Sequence, residues 1–296
     1  MPAIIASCAT ATSSGSYLTN VTEAAQACLQ QVAVPPDDLG IVINVGIYRD
    51  ANMLEPSIAA LIQQRIGAGL TYRPGPAPTF SFDLLNGGCG LLDACTVAES
   101  LFAAGDLRYI LITAGEAHPS TRTDVDGFPY TPSGAALLLQ RGETDGFSRL
   151  YTASDDSPLA PFGYLPLAEM GSAGRSTVFV DRRQPDPLPH AVAAVRACVH
   201  AEQLELADVR ILAPTTDLAD RLAAALPVAR ASVLTPPAGL GNLLSGAPAF
   251  AYTSAIAVGG GEEFLWLAAD GPVASCVRYR HPIGQATNRT DGHVRN

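Results

Sequence analysis

One stretch of this sequence has the residue types and spacing to hold a nucleophile. Phe80 to Leu85 reads as a short apolar strand, Asn86-Gly87-Gly88-Cys89-Gly90 as a tight turn, and Leu91 to Ala104 as a helix of good helix formers. A thiol in such a turn sits at a helix N-terminus, where unpaired N–H groups and the helix dipole favour thiolate, the form that attacks an acyl carbon. The helix carries apolar residues at Leu91, Leu92, Ala94, Cys95, Val97, Ala98, Leu101 and Phe102. These cover too many faces for a surface helix, so burial on most sides is expected. Gly105 ends it, and Leu107 to Ala114 reads as a second apolar strand. Cys89 also has a plainer reading, as a small residue packed against a second sheet. Cys95, mid-helix and core-facing, is expected to be inert.

The elements that position this turn can be followed along the chain. Ile4 to Ala9 is strand-like, Asn20 or Thr22 caps a helix running to about Val32, and Leu39 to Val45 is a β-branched strand buried on both faces. Glu55-Pro56 opens a helix that reaches Gly67, and Gly134 to Leu139 is a further strand. After a stretch rich in Pro, Gly, Ser and Asp the order repeats. His190 to Ala201 is a helix, Val209 to Ala213 a strand, Leu218 to Leu226 a helix and Ala231 to Leu234 a strand. Gly239-Leu240-Gly241-Asn242 is a glycine turn, Ala247 to Val258 a helix, and Phe264 to Ala268 and Val273 to Tyr279 are strands. The segments DDLGIVINVG and ADVRILAPTT occupy matching places, so the chain reads as a duplicated parallel α/β arrangement. The expected division is 1–145 for the first half, 146–185 for a connecting excursion, 186–281 for the second half and 282–296 for a disordered tail.

Composition narrows the chemistry. The chain has 296 residues, an apolar content of 48% and a net charge of −10. It is long enough for a large core, it has no apolar run of bilayer length, and its acidity argues against nucleic acid or an anionic membrane as partner. Met1 to Gly15 lacks the basic start of a signal peptide, so a cytoplasmic location is expected. Every basic side chain apart from histidine is arginine. The lack of lysine excludes a Schiff-base lysine and a lysine-bearing phosphate loop. The six cysteines are scattered, with no metal spacing, and neither a disulfide framework nor a metal site is expected.

The run FDLLNGGCGLLDACTVAESLFAAGDLRYILITAGE, Phe82 to Glu116, resembles the ketosynthase III (beta-ketoacyl-ACP synthase III) branch of the thiolase superfamily. The family reads roughly F-D-V-x-x-x-C-x-G-F-x-x-A-L-x-V-A and then G-x-x-x-x-x-L-V-x-G-x-E. Aligned without gaps, Phe82, Asp83, Gly90, Ala94, Val97, Ala98 and Glu116 fall on family positions, while the family's nucleophilic cysteine falls on Gly88. The resemblance implies a thiolase-like fold: duplicated βαβαβαββ halves in five layers (α-β-α-β-α), with two central helices between the sheets. It also implies the family's polarising pair, the histidine of P-H-Q-A-N and the asparagine of H-G-N-T-S. The first falls on Thr215, which cannot serve as a base near neutral pH; the second is retained as Asn242. Asn242 could equally be a turn residue held by its own backbone. The family's G-G-G-F turn appears as Ala268-Ala269-Asp270-Gly271. The segment that helps grip coenzyme A between the first turn and first helix is all but absent at Tyr17 to Asn20.

The resemblance therefore implies an auxiliary, non-condensing subunit of acyl, polyketide or fatty-acid-type assembly, paired as a heterodimer with an active ketosynthase or as a homodimer. Acyl carrier protein is an implied partner, which would need an arginine patch such as Arg182-Arg183 or Arg73 to offset the shared negative charge. No cofactor is expected; the substrate of an active form would be an acyl thioester on carrier protein or coenzyme A. The rival reading is an acyltransferase or condensing enzyme using Cys89 as a displaced nucleophile, with Asn242 and His118 assisting. His118, in Glu-Ala-His-Pro-Ser, could replace the lost base or be a loop residue. His190 and His200 are expected on a helix surface, and Asp124 and Asp126 in a solvated acidic loop. A third reading is a homodimeric acyl-binding protein without chemistry.

Overall fold

The computed structural model describes residues 2–53, 55–70, 78–119, 128–156, 163–164, 179–180, 185–259 and 261–282. Asp124, Asp126, Arg73, Arg182, Arg183 and the tail from residue 283 lie outside them.

The first half runs β1 (Ala3–Ala11), α1 (Tyr17–Gln31), β2 (Leu39–Asn44), α2 (Ile58–Ile66), β3 (Phe80–Asp83), α3 (Gly90–Ala104), β4 (Tyr109–Glu116) and β5 (Ser133–Arg141). Its five strands lie in the order β1-β5-β4-β2-β3. β2 is parallel to β3 and β4, and β5 is antiparallel to both β1 and β4.

The second half takes its first strand from β6 (Gly146–Phe147) and β7 (Tyr151–Ser154). Both lie in the stretch that the sequence reading gave to a connector. They are strands because β13 offers them an open antiparallel edge: Val273 to Cys276 pairs with β7, and Tyr279 and Arg280 pair with β6. A short pair follows, β8 (Gly163–Tyr164) and β9 (Phe179–Val180). Then come α4 (Leu188–Ala201), β10 (Arg210–Leu212), α5 (Thr216–Ala225), β11 (Val233–Leu234), α6 (Ala247–Ala257), β12 (Glu263–Asp270) and β13 (Val273–Arg280). The second sheet reads β11-β10-β12-β13-β6, with β7 also on β13. Its order and its one reversed strand, β13, repeat those of the first sheet.

Three apolar clusters set the layers. Residues of α1 and α2 pack on one face of the first sheet. α3 and α6 fill the space between the two sheets. α4 and α5 cover the outer face of the second. The layer order is helix, sheet, helix, sheet, helix. The breadth of the apolar surface on α3 follows from this central place.

The helix starts are set partly from a distance. Ser16, not Asn20 or Thr22, caps α1: its hydroxyl accepts the Thr19 N–H at 3.2 Å, while Asp50 takes those of Tyr17 and Leu18. Asn20 instead ties back to Ser14, and Thr22 donates to the Leu18 carbonyl. α2 is capped by Ser57, after Pro56, and its first N–H groups at Ile58 and Ala59 are met by Asp83 at 3.0 and 2.9 Å. Asp83 also pairs with buried Arg49 at 3.0 Å. Asp83 is thus a structural clamp between β3 and α2. Gly67, with φ at +76°, ends α2 in the left-handed conformation that glycine adopts without strain. No helix among the described residues is long and apolar enough to cross a membrane.

Candidate active site

Gly87 to Cys89 forms one tight turn leading directly into α3. The Cys89 N–H bonds the Asn86 carbonyl at 3.0 Å, and its side chain is fully buried. The thiol faces β13, where it meets Ser275. Burial pushes it up to about 12; the Ser275 hydrogen bond pulls the other way, and the nearby Asp93 and Asp270 carboxylates add to the rise. Loss of water thus acts against the helix-stabilised thiolate that the sequence suggests. Cys95 is likewise buried in the central layer.

Gly88 faces a different neighbour. Its N–H donates to Asp270 Oδ2 at 3.1 Å, and a side chain at this position would point at the Ala269 carbonyl, Asp270 Cβ and Leu244. Asp270 ends β12, just before Gly271, which turns at φ +56°. Burial raises the Asp270 carboxyl and the Gly88 N–H offsets part of the rise. The Gly88 N–H is therefore already engaged by a carboxylate.

The remaining sequence candidates engage other neighbours. Asn242 closes its own turn: Oδ1 accepts the Leu244 N–H at 3.0 Å and the backbone carbonyl accepts the Thr131 N–H at 2.8 Å. Thr215 caps α5, its hydroxyl accepting the Leu218 N–H at 3.3 Å. His118 is half-buried and meets the Phe128 ring edge-on at 4.8 Å. Asn242 and His118 both reach the segment 128–131, Asn242 by pairing with Tyr130 and Thr131 and His118 by meeting Phe128, whereas the Cys89 thiol faces Ser275. His190, which the sequence reading put on the surface, is half-buried and meets Asp155 at 3.1 Å, and His200 is exposed.

Close to Asp270 lies a cluster that includes Glu116, which the sequence placed on a family position, and three aromatic residues that it did not single out. Phe128, Tyr130 and Tyr48 pack ring to ring at 5.2 to 5.4 Å. Beside them Glu116 is fully buried; Oε2 accepts the Tyr48 N–H at 2.7 Å and Oε1 accepts the Ser245 hydroxyl at 2.6 Å. Burial lifts Glu116 to about 8, against the pull of those hydrogen bonds. Tyr130 is raised by burial, with Asp270, Tyr48 and Glu116 adding to it, which puts all four in one electrostatic neighbourhood. The sequence signal for this cluster was faint, since Tyr48, Glu116, Phe128 and Tyr130 are far apart in the chain. Among the described residues no His, Cys, Asp or Glu cluster has the makings of a metal site.

Comparison with solved structures places this architecture. 3-oxoacyl-(acyl carrier protein) synthase III from Pseudomonas aeruginosa PAO1 superposes with a TM-score of 0.78 at 15% identity, over 95% of this chain and 99% of that one. A histidine-to-alanine variant of OleA from Xanthomonas campestris gives 0.74 at 15% identity, over 95% and 98%. AbyA1, a tetronic acid condensing enzyme, gives 0.65 at 17% identity, over 93% and 99%. The chain has the thiolase-like fold. No protein-family model and no curated protein matches it by sequence. At such identities the likeness speaks for the thiolase-like scaffold and leaves its chemistry to the residues above.

Proposed function

We propose that this protein is a non-condensing, ketosynthase III-like subunit of an acyl- or polyketide-assembling enzyme, acting beside an active ketosynthase. The observation that carries the reading is the pairing of Gly88 with Asp270: the family's nucleophile position has no side chain, and its N–H is taken by an internal carboxylate. Thr215 at the histidine position is committed to capping α5. A condensing site needs a thiolate and a polarising imidazole, and both positions lack the atoms for it. Only Thr12 to Ser16 separates β1 from α1, which leaves no room for the family's coenzyme A-gripping segment.

The rival, acyl transfer through Cys89, would require a fully buried thiol to leave Ser275 and ionise far below about 12. The partner surface we assign is the edge of β3, which pairs on one side only among the described residues. Phe80 there is 62% exposed and its ring lies tilted against that of Phe82, with centroids 5.6 Å apart, and Leu85 is 49% exposed. An open apolar strand edge is suited to pairing with a second chain. Capture of the tagged protein from its native host tests the reading. Recovery of a ketosynthase that carries out condensation supports it, and repeated captures without one count against it.

A further inference from the structure

We propose that the hollow at the foot of β4 and β5 is a ligand site for a small zwitterion, an apolar α-amino acid whose carboxylate meets Arg108 and Arg141 and whose ammonium meets Asp106.

The hollow has a volume of about 420 Å³ and is lined by Asp106, Leu107, Arg108, Tyr109, Gln140 and Arg141. These residues belong to the loop after α3, the start of β4 and the end of β5. Glu116 closes β4 at its opposite end, about 20 Å away at the rise of a strand. The hollow is therefore remote from the Glu116 and Asp270 cluster.

Its polar groups are left largely unanswered by the protein. Arg141 gives Nη2 to the Phe102 carbonyl at 2.7 Å and to that of Gly105, which fixes the guanidinium against the last turn of α3. Its Nε is enclosed without an acceptor, and no carboxylate pairs with Arg141 among the described residues. The Gln140 carboxamide and the Asp106 carboxylate also have no partner among the described residues. Arg108 is steadied by Asp38 at 3.3 Å and by the Tyr109 ring, 5.6 Å from its centroid, and the bond to Asp38 uses one of the five donors that a guanidinium carries.

Both signs of charge thus share one hollow, and this selects the ligand. A phosphate dianion would be drawn by the arginines and repelled by Asp106. A carboxylate alone would leave Asp106 unanswered, and an amine alone would leave the arginines so. A molecule with one carboxylate and one ammonium satisfies both. The C-terminal end of α3, just before Asp106, favours a cation in the same direction. Leu107 and Tyr109, both half-buried, supply an apolar wall for the side chain.

The experiment titrates the full chain, labelled with ¹⁵N-arginine, with leucine, with 4-methylpentanoate, which lacks the ammonium, with 3-methylbutylamine, which lacks the carboxylate, and with inorganic phosphate. Leucine should shift the Arg108 and Arg141 amides saturably, with a Kd on the order of 1 mM for so small a ligand, and should bind more tightly than the other three. Asp106→Asn should weaken leucine about fivefold, the size of a solvent-exposed ion pair, without weakening 4-methylpentanoate. Arg108→Gln should weaken both by a similar factor. Asp106 and Arg108 are exposed, so these variants keep the fold, whereas Arg141 is left in place because it holds the end of α3. Equal affinity for leucine and 4-methylpentanoate overturns the proposal, as does tighter binding of phosphate. Shifts confined to other arginines, or no saturable shift with leucine, overturn it too. None of these shifts depends on a ketosynthase partner or on the chemistry of the Gly87–Cys89 turn.

Discussion

Glu116 ends against Ser245: Oε1 accepts the serine hydroxyl at 2.6 Å, at a point where the last residue of β4 meets the turn that leads into α6. The same hydroxyl oxygen accepts the Gly115 N–H at 3.1 Å. The two halves of the chain are therefore joined at their centre by a buried carboxyl group rather than by apolar contact alone. Such a group rests on being neutral or fully bonded, because a bare charge there would be costly.

The pH dependence of stability follows from this contact. Glu116 is lifted to about 8 in the folded protein, well above its value in the unfolded chain. The folded state thus holds a proton that the unfolded state has lost. The stabilisation is complete below the unfolded value and is lost as pH rises through about 8. Glu116→Gln keeps the shape without the charge. Relative to this variant, the native protein should lose up to about 1.4 kcal/mol per pH unit between pH 6 and 8. Urea unfolding of both proteins across that range checks it, and parallel curves would show that Glu116 does not hold the proton.

Cys89 should behave as core. Its thiol should react with an aromatic disulfide reagent at pH 8 only as fast as the protein opens, since it is fully buried and pushed up to about 12. Cys89→Ala should cost about 1 kcal/mol through the lost packing against β13. Peptide mapping of the labelled cysteines and a urea midpoint measure both. Rapid labelling of Cys89 in the native state would contradict the assignment.

The exposed edge of β3 predicts association. Phe80→Asp places a charge on the edge and should convert a dimer into a monomer with little change in urea midpoint. Light scattering after gel filtration reads the mass directly. A dimer that survives the substitution would move the interface away from this strand.

Much of the fold was open to sequence reading because its signals are local. α3 is apolar on nearly every face because it lies between two sheets, and the repeated order of elements is the repeated sheet itself. What stayed hidden depends on residues far apart in the chain. The start of α1 is set with help from Asp50, more than thirty residues on. β6 and β7 are short and sit in a polar stretch, and they become strands only because β13 presents an edge.

The site divides along the same line. That Gly88 carries no side chain and Thr215 no imidazole could be read from residue type alone. That Cys89 is buried against Ser275, and that Asp270 lies on the Gly88 N–H, depends on pairings about 180 residues apart in the chain. The helix-dipole argument for a Cys89 thiolate is local, whereas the burial that opposes it is tertiary.

The central claim, that this site does not take up an acyl group, is tested most directly by intact-protein mass after exposure of the native chain to a panel of acyl thioesters on coenzyme A and on carrier protein, beside a Cys89→Ala control. The account predicts an unchanged mass for both proteins with every donor. An acyl adduct on the native chain that disappears in the control would make Cys89 a working nucleophile and contradict it.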